Sequence, residues 1–261
     1  MTIEPANEKI PSLALDKVSV RFGGLLALDE VSFSVHDNEI VGLIGPNGAG
    51  KTTAFNVVCG FVKPTSGAVH FPSEGHSHLR SHNLHHARVS RTLQGVGLFP
   101  RMSVLENVMA GAQARSGGGF FRSLFGLPNV ARSERALRSE AMAMLERLGV
   151  ASVAAQMPTA IPYGTAKKVS MARALMAKPR LLLLDEPASG LDENELDEFS
   201  QLIVELRSSM GILLVEHNME FVMPLVDRIV VLNFGEVIAS GSPQEIRTNP
   251  DVLAAYLGVD E

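Results

Sequence analysis

A chain of 261 residues with near-average apolar content and 20% charged residues is long enough to bury one large core, or one core and a small satellite lobe. Its formal net charge of -5 argues against a protein that holds nucleic acid by neutralising many phosphates. The single cysteine, Cys59, excludes an intramolecular disulfide, and its neighbours Phe55, Val57, Val58 and Phe61 predict a buried thiol in a reducing compartment.

Met1 to Pro11 carry Glu4, Glu8 and Lys9 without an apolar core, the wrong composition for a secretory signal. Val18 to Phe22 and Val31 to Val35 alternate apolar with polar residues on either side of Gly23-Gly24, which predicts short antiparallel strands with one solvated face. Glu39 to Gly45 reads as a buried strand entering a glycine-rich turn, and Thr52 to Phe61 as the helix that follows. From His76 to His86 five histidines stand in a polar segment. Their spacing fits no zinc pattern, and no cysteine or clustered carboxylate assists, so a solvated loop is expected there.

Ser116 to Gly119, followed by Phe120, Phe121, Leu124 and Phe125, predicts a flexible loop with an apolar tip. Ser133 to Leu148 predicts an amphipathic helix with Leu137, Met144, Leu145 and Leu148 on one face. The longest uncharged stretch, Leu148 to Ala166, is interrupted by Gln156, Pro158, Pro162 and Gly164 and cannot span a membrane. Leu181 to Leu184 and Ile212 to Val215 predict buried strands separated by a helix from Glu193 to Ser208. Ile229 to Leu232 and Glu236 to Ser240 predict a closing hairpin through Asn233-Phe234-Gly235. The pattern divides the chain into an α/β core, residues 1–92 and 167–261, whose start is a β layer, and an inserted helical subdomain, residues 93–166.

Two motifs carry chemistry. Gly45-Pro46-Asn47-Gly48-Ala49-Gly50-Lys51-Thr52-Thr53 fits a phosphate-binding loop and lies between a buried strand and a helix, the context it requires. Its glycines let successive N–H groups turn toward phosphate oxygens, and the helix presents its positive end. Lys51 adds a cation for the β and γ phosphates, and Thr52 a hydroxyl for Mg²⁺. Leu181 to Leu184 then deliver Asp185-Glu186-Pro187 at the carboxyl end of a buried strand, where open α/β sheets bind ligands. Asp185 is suited to the Mg²⁺ shell, and Glu186 to orienting or deprotonating an attacking water.

On these residues the sequence resembles the ATP-binding subunits of ABC transporters over nearly its whole length. The resemblance implies a P-loop NTPase of the ABC ATPase type, with a mixed sheet, an antiparallel β layer, a helical subdomain that carries the signature motif, and ATP and Mg²⁺ as cofactors. It assigns the linker glutamine, a metal ligand and sensor, to Gln94 of Arg91-Thr92-Leu93-Gln94, and the switch histidine to His217. The aspartate loop matches Ser189-Gly190-Leu191-Asp192, and the adenine-stacking aromatic matches Phe22.

Within that superfamily the sequence is similar to the ATPases of branched-chain amino acid importers and their urea or amide relatives. The carriers are Arg21-Phe22-Gly23-Gly24-Leu25-Leu26-Ala27, Tyr163-Gly164, and Glu216-His217-Asn218-Met219 followed by Met223. The longer insertion from Phe120 to Pro128 belongs to the same likeness, as does the ending Asn249-Pro250-Asp251-Val252, then Tyr256-Leu257-Gly258.

The family's signature Leu-Ser-Gly-Gly-Gln stands here as Ile161-Pro162-Tyr163-Gly164-Thr165, continued by Ala166-Lys167-Lys168, so the serine hydroxyl is absent. The likeness implies membrane permease subunits and a second ATP-binding subunit as partners, here in a heterodimer with unequal sites. An extracytoplasmic solute-binding protein would be an indirect partner, nucleic acid none, and the location the cytoplasmic face of the membrane. A groove near Phe99, Met102 and Val104 is expected to receive a short helix of the permease. The alternative, a soluble ABC-type ATPase acting on DNA or ribosomes, usually carries two cassettes or a long coiled-coil insertion, and neither is visible. Exporters are often fused to membrane helices, and a non-hydrolysing module would be expected to lose Glu186.

Overall fold

Alternating burial along the N-terminal runs sets the first layer. Strands β1 (Leu13–Phe22) and β2 (Leu25–Val35) pair antiparallel, burying Leu13, Leu15, Val18 and Val20 with Leu28, Val31, Phe33 and Val35. Both strands are longer than the alternation in the sequence marks, because register shifts and the positive-φ residues Lys17 and Glu30 let the ladder continue past its polar interruptions. The computed structural model describes residues 10–92, 95–112 and 128–257. The expected loop from Ser116 to Phe125 lies outside the described residues. Strands β4 (Ser66–Phe71) and β5 (His76–Ser77) complete an antiparallel sheet of order β2-β1-β4-β5.

The histidine segment is more ordered in shape than the expected loop: after β5 it forms a 3-10 turn, Ser81–Ala87, anchored by the buried Leu84 and Ala87. His85 and His86 lie with ring centroids 4.0 Å apart, and among the described residues no cluster of His, Cys, Asp or Glu is arranged to hold a metal.

The second sheet has the order β10-β9-β3-β8-β7-β6. Strands β3 (Ile40–Ile44), β6 (Val89–Arg91), β7 (Leu181–Asp185), β8 (Gly211–Val215) and β9 (Arg228–Asn233) run parallel, and β10 (Glu236–Gly241) is antiparallel to β9, so the sheet is mixed as expected. Its near-continuous apolar runs are buried on both faces. Ile40, Ile44, Leu182, Leu184, Ile212, Leu214, Ile229 and Val231 join the core shared with the helical lobe. Val41, Leu43, Leu181, Leu183, Leu213, Val215, Val230 and Leu232 join the core shared with the antiparallel layer. Each such side chain contributes about 2 kcal/mol by leaving water.

Helix α1 (Lys51–Val58) buries Ala54, Phe55, Val57 and Val58 in that second core. It ends earlier than the expected Phe61. Gly60, at φ 66°, donates to Val57 O at 3.0 Å and Phe61 N–H donates to Asn56 O at 2.9 Å, a Schellman closure that terminates the helix. Cys59 caps its C-terminus, fully buried, and burial pushes its thiol up to about 12.

Helices α2 (Val104–Gly111), α3 (Pro128–Arg147) and α4 (Tyr163–Leu175) pack together as the helical lobe. In α3 the expected face holds, with Leu145 buried and Leu137 and Met144 packed against the core, while Leu148 is buried just past its end. Helix α4 runs through position 166, the boundary expected from the sequence, and its second half belongs to the same core as the sheet. Helix α5 (Glu193–Arg207) starts on a capping box between Asp192 and Glu195. Short helices α6 (Met219–Val222), α7 (Pro243–Arg247) and α8 (Pro250–Leu257) follow β8 and β10. Among the described residues no helix is long and apolar enough to cross a membrane.

Candidate nucleotide site

The site is built at the carboxyl ends of three neighbouring parallel strands, β3, β8 and β7. Strand β3 is buried along its whole length and hands the chain to Gly45, where φ is 152°. A Cβ there would sit 2.1 Å from Leu232 O, so only glycine lets the loop lie against β9. At the far end a Cβ on Gly50 would meet Ala27 O at 2.8 Å, which ties the loop to β2 as well.

α1 opens from this loop without help. Its N-cap Gly50 makes no side-chain cap, and its first turn holds no acid, so its free N–H groups and positive dipole end meet no negative side chain of α1. This donor set fits a phosphate. Lys51 lies over the loop, its Nζ donating to Gly45 O at 2.6 Å and Pro46 O at 2.8 Å. Burial draws its pKa down, and the charge of Glu186 opposes that. Thr52 and Thr53 follow in the first turn.

Asp185 ends β7, opposite Val215 of β8. Burial raises its pKa, the charges of Glu186 and Glu216 add to this, and Arg91 works against it. Asp185 and the hydroxyl of Thr52 in the first turn of α1 are both oxygen donors, the chemistry suited to a hard divalent cation. Glu186 turns the chain off the strand in a left-handed conformation, φ 46°, held by its N–H donating to Val215 O at 2.9 Å. His217, just past β8, brings Nδ1 to 3.7 Å from Glu186 Oε1. The structure therefore gathers Lys51, the adjacent Asp185 and Glu186, and His217 from three separate stretches of sequence. Phe22 stands at the end of β1 with half its surface exposed. Gln94 lies outside the described residues.

A second group forms around the start of α4. Tyr163 packs on Gly190, where a Cβ would meet its ring at 2.9 Å, and the Glu195 carboxylate lies against Gly164. Asp192 Oδ1 accepts from Glu195 N–H at 2.9 Å, so in this structure Asp192 acts as a helix cap.

Two polar residues that hold the site, and a third that shapes the helical lobe, carry no motif of their own in the sequence. Glu216 was noted only as part of a likeness; it is 1% exposed, and its carboxylate accepts from Ala188 N at 2.8 Å, His217 N at 3.0 Å and Asn218 N at 3.3 Å. Lys167, where the sequence departs from the family's signature, is buried against the loop after Glu186. Asn107, fully buried in α2, accepts from Phe99 N and donates to Phe99 O, Met102 O and Ser103 O, which shapes the loop before that helix. The one available signal was a charged or amide residue within an apolar run. Of the residues near the expected permease groove, Val104 is fully buried because α2 packs it into the core, and Phe99 remains half exposed.

A parallel-stranded core that ends in an uncapped phosphate-loop helix beside a carboxylate pair defines a P-loop ATPase. The profile of the ABC transporter family matches residues 28–189, and that of the branched-chain amino acid ATP-binding cassette transporters matches residues 236–261. The high-affinity branched-chain amino acid transport ATP-binding protein BraF of Pseudomonas aeruginosa is 41% identical over 250 residues, 95% of this chain and 98% of its own length. LivG of Salmonella typhimurium, described in the same words, is 42% identical over the same shares. Among solved structures, the ADP conformation of MJ1267, an ATP-binding cassette of an ABC transporter, superposes with a TM-score of 0.81 at 28% identity, covering 96% of this chain and all of its own. The chain belongs to the ABC transporter ATP-binding proteins, and it binds ATP with Mg²⁺ and hydrolyses it.

Proposed function

We propose that this ATPase drives an importer of branched-chain amino acids or closely related small polar solutes from the cytoplasmic face of the membrane. The observation that carries the cargo class is the match of residues 236–261 to the branched-chain amino acid transporter profile, a segment that lies outside the phosphate-loop machinery common to ABC ATPases. Hydrolysis rests on three side chains and a loop. Lys51 and the loop Gly45 to Thr53 hold the phosphates, Glu186 polarises the attacking water, and His217 contacts the γ phosphate. Thr52, Asp185 and Gln94 would hold Mg²⁺, which would neutralise phosphate charge. Phe22 stacks on the adenine.

The partners in this reading are permease subunits, a second ATP-binding subunit and, through the permease, an extracytoplasmic solute-binding protein. The exposed Phe99 is the contact point for the permease. Tyr163 and Gly164, presented by the helical lobe of residues 93–166, and Asp192, at the start of α5, face the nucleotide of the second subunit. The test is Glu186→Gln. Nucleotide titration should find MgATP binding retained, with turnover lowered at least about a hundredfold, the scale of a positioned acid or base. Turnover at the parent rate would remove Glu186 from the mechanism. Co-purification with membrane permease subunits, rather than with ribosomes or DNA, decides between transport and a soluble role.

A further inference from the structure

Lys167 occupies an environment that the chemistry above leaves unused. It sits one turn into α4, four residues beyond Tyr163, and is 6% exposed. A buried ammonium costs several kcal/mol unless its donors are all used. Here its three protons meet three main-chain carbonyls of one loop: Pro187 O at 2.6 Å, Ser189 O at 2.5 Å and Glu186 O at 3.4 Å. The Tyr163 ring adds a face 5.4 Å from the ammonium.

The same loop is gripped from its other side. Glu216, at the end of β8, accepts from Ala188 N–H at 2.8 Å and, through its second oxygen, from His217 N–H at 3.0 Å. Burial draws the Lys167 pKa down, and the charge of Glu216, followed by those of Glu186 and Glu195, opposes that. Three carbonyls held by a cation and the Ala188 N–H held by an anion fix the loop from Glu186 to Ser189 from both sides. Its conformation includes the left-handed Glu186, which its neighbours have to stabilise.

We infer that Lys167, with Glu216 as its counter-charge, is a positioning residue for hydrolysis: it ties the start of the signature helix to the loop after Glu186 and so keeps that carboxylate beside His217. The clamp deepens the proposed function and rests on its reading of Glu186 as the catalytic carboxylate. It connects the helical lobe to the hydrolytic carboxylate inside one chain, so a shift of α4 is felt at Glu186 through bonds rather than through distance.

The experiment measures MgATP affinity and turnover of the full chain for Lys167→Met, alone and combined with Glu186→Gln, with Lys167→Arg as the charge-retaining control. Expected results are an affinity within about twofold of the parent, a turnover loss of at least tenfold for Lys167→Met, and substantial recovery with Lys167→Arg. On the Glu186→Gln background the same change should cost less than about twofold, because a residue acting through Glu186 has nothing left to position. An undiminished rate in Lys167→Met, equal losses on both backgrounds, or an affinity loss that matches the turnover loss each overturns the clamp. Should thermal unfolding show that Lys167→Met does not fold, Glu216→Gln carries the same comparison with the same deciding results. Parent-rate turnover in Glu186→Gln alone would instead remove the premise, and is recognised before Lys167 is touched.

Discussion

Helices α1 and α4 both begin without a side-chain cap, and they differ in what faces their free N–H groups. At α1 no acid stands in the first turn and Lys51 adds a cation, so the helix start is prepared for an incoming anion. At α4, whose N-cap is Pro162, the Glu195 carboxylate of the same chain already lies against Gly164. The backbone feature is the same in both. The neighbouring charge decides which one receives phosphate within its own chain, and an anion coming to α4 has to contend with Glu195.

The glycines should break this comparison most visibly. Gly45→Ala drives a Cβ into the main-chain Leu232 O at a φ of 152°, and neither side can yield. Urea unfolding should show a loss of at least about 2 kcal/mol, with nucleotide binding lost alongside. Lys51→Ala leaves the fold intact and removes the cation of the α1 site, so MgATP titration should show affinity weakened about ten- to a hundredfold, the worth of a charged hydrogen bond. Unchanged affinity would mean that the α1 loop is not the site.

The α4 side is sharpened in a complex with the partner ATPase of the proposed heterodimer. The serine hydroxyl missing from Pro162-Tyr163-Gly164 is worth about 1.5 to 3 kcal/mol toward a charged phosphate. Inactivating Glu186 here should therefore cost about ten- to a hundredfold more ATP turnover than inactivating the partner's catalytic glutamate. Equal losses would mean that the altered signature is functionally silent. Gly164→Ala should have the smallest effect, because its Cβ meets only the mobile carboxylate of Glu195. Displacing that carboxylate loosens the cap on α5, and thermal unfolding should read about 1 kcal/mol or less.

Much of the fold was legible because apolar runs bounded by glycine or acid can do little else. Leu181 to Asp185 and Gly211 to Val215 are too short for helices and too apolar for loops, and both became central parallel strands. The phosphate loop was legible for a related reason: its glycines and Lys51 are contiguous, so the chemistry is local. The turn in the histidine segment is not legible in the sequence because its anchors, Leu84 and Ala87, are too sparse to show a period, and only the packing of the antiparallel layer gives them something to bury against.

By itself, then, the sequence determined the class of the fold, the place of the phosphate loop and the identity of the acid pair, because each is written within about ten contiguous residues. The tertiary structure decided which charges face one another. Lys167 and Glu216 are 49 positions apart and hold the same short loop through its main chain, whose carbonyls and N–H groups carry no residue-specific signal. Glu195 reaches Gly164 only because α5 packs across the start of α4. Contacts to backbone leave no trace in a pattern of side chains, and for that reason the positioning of Glu186 could be read only from the fold.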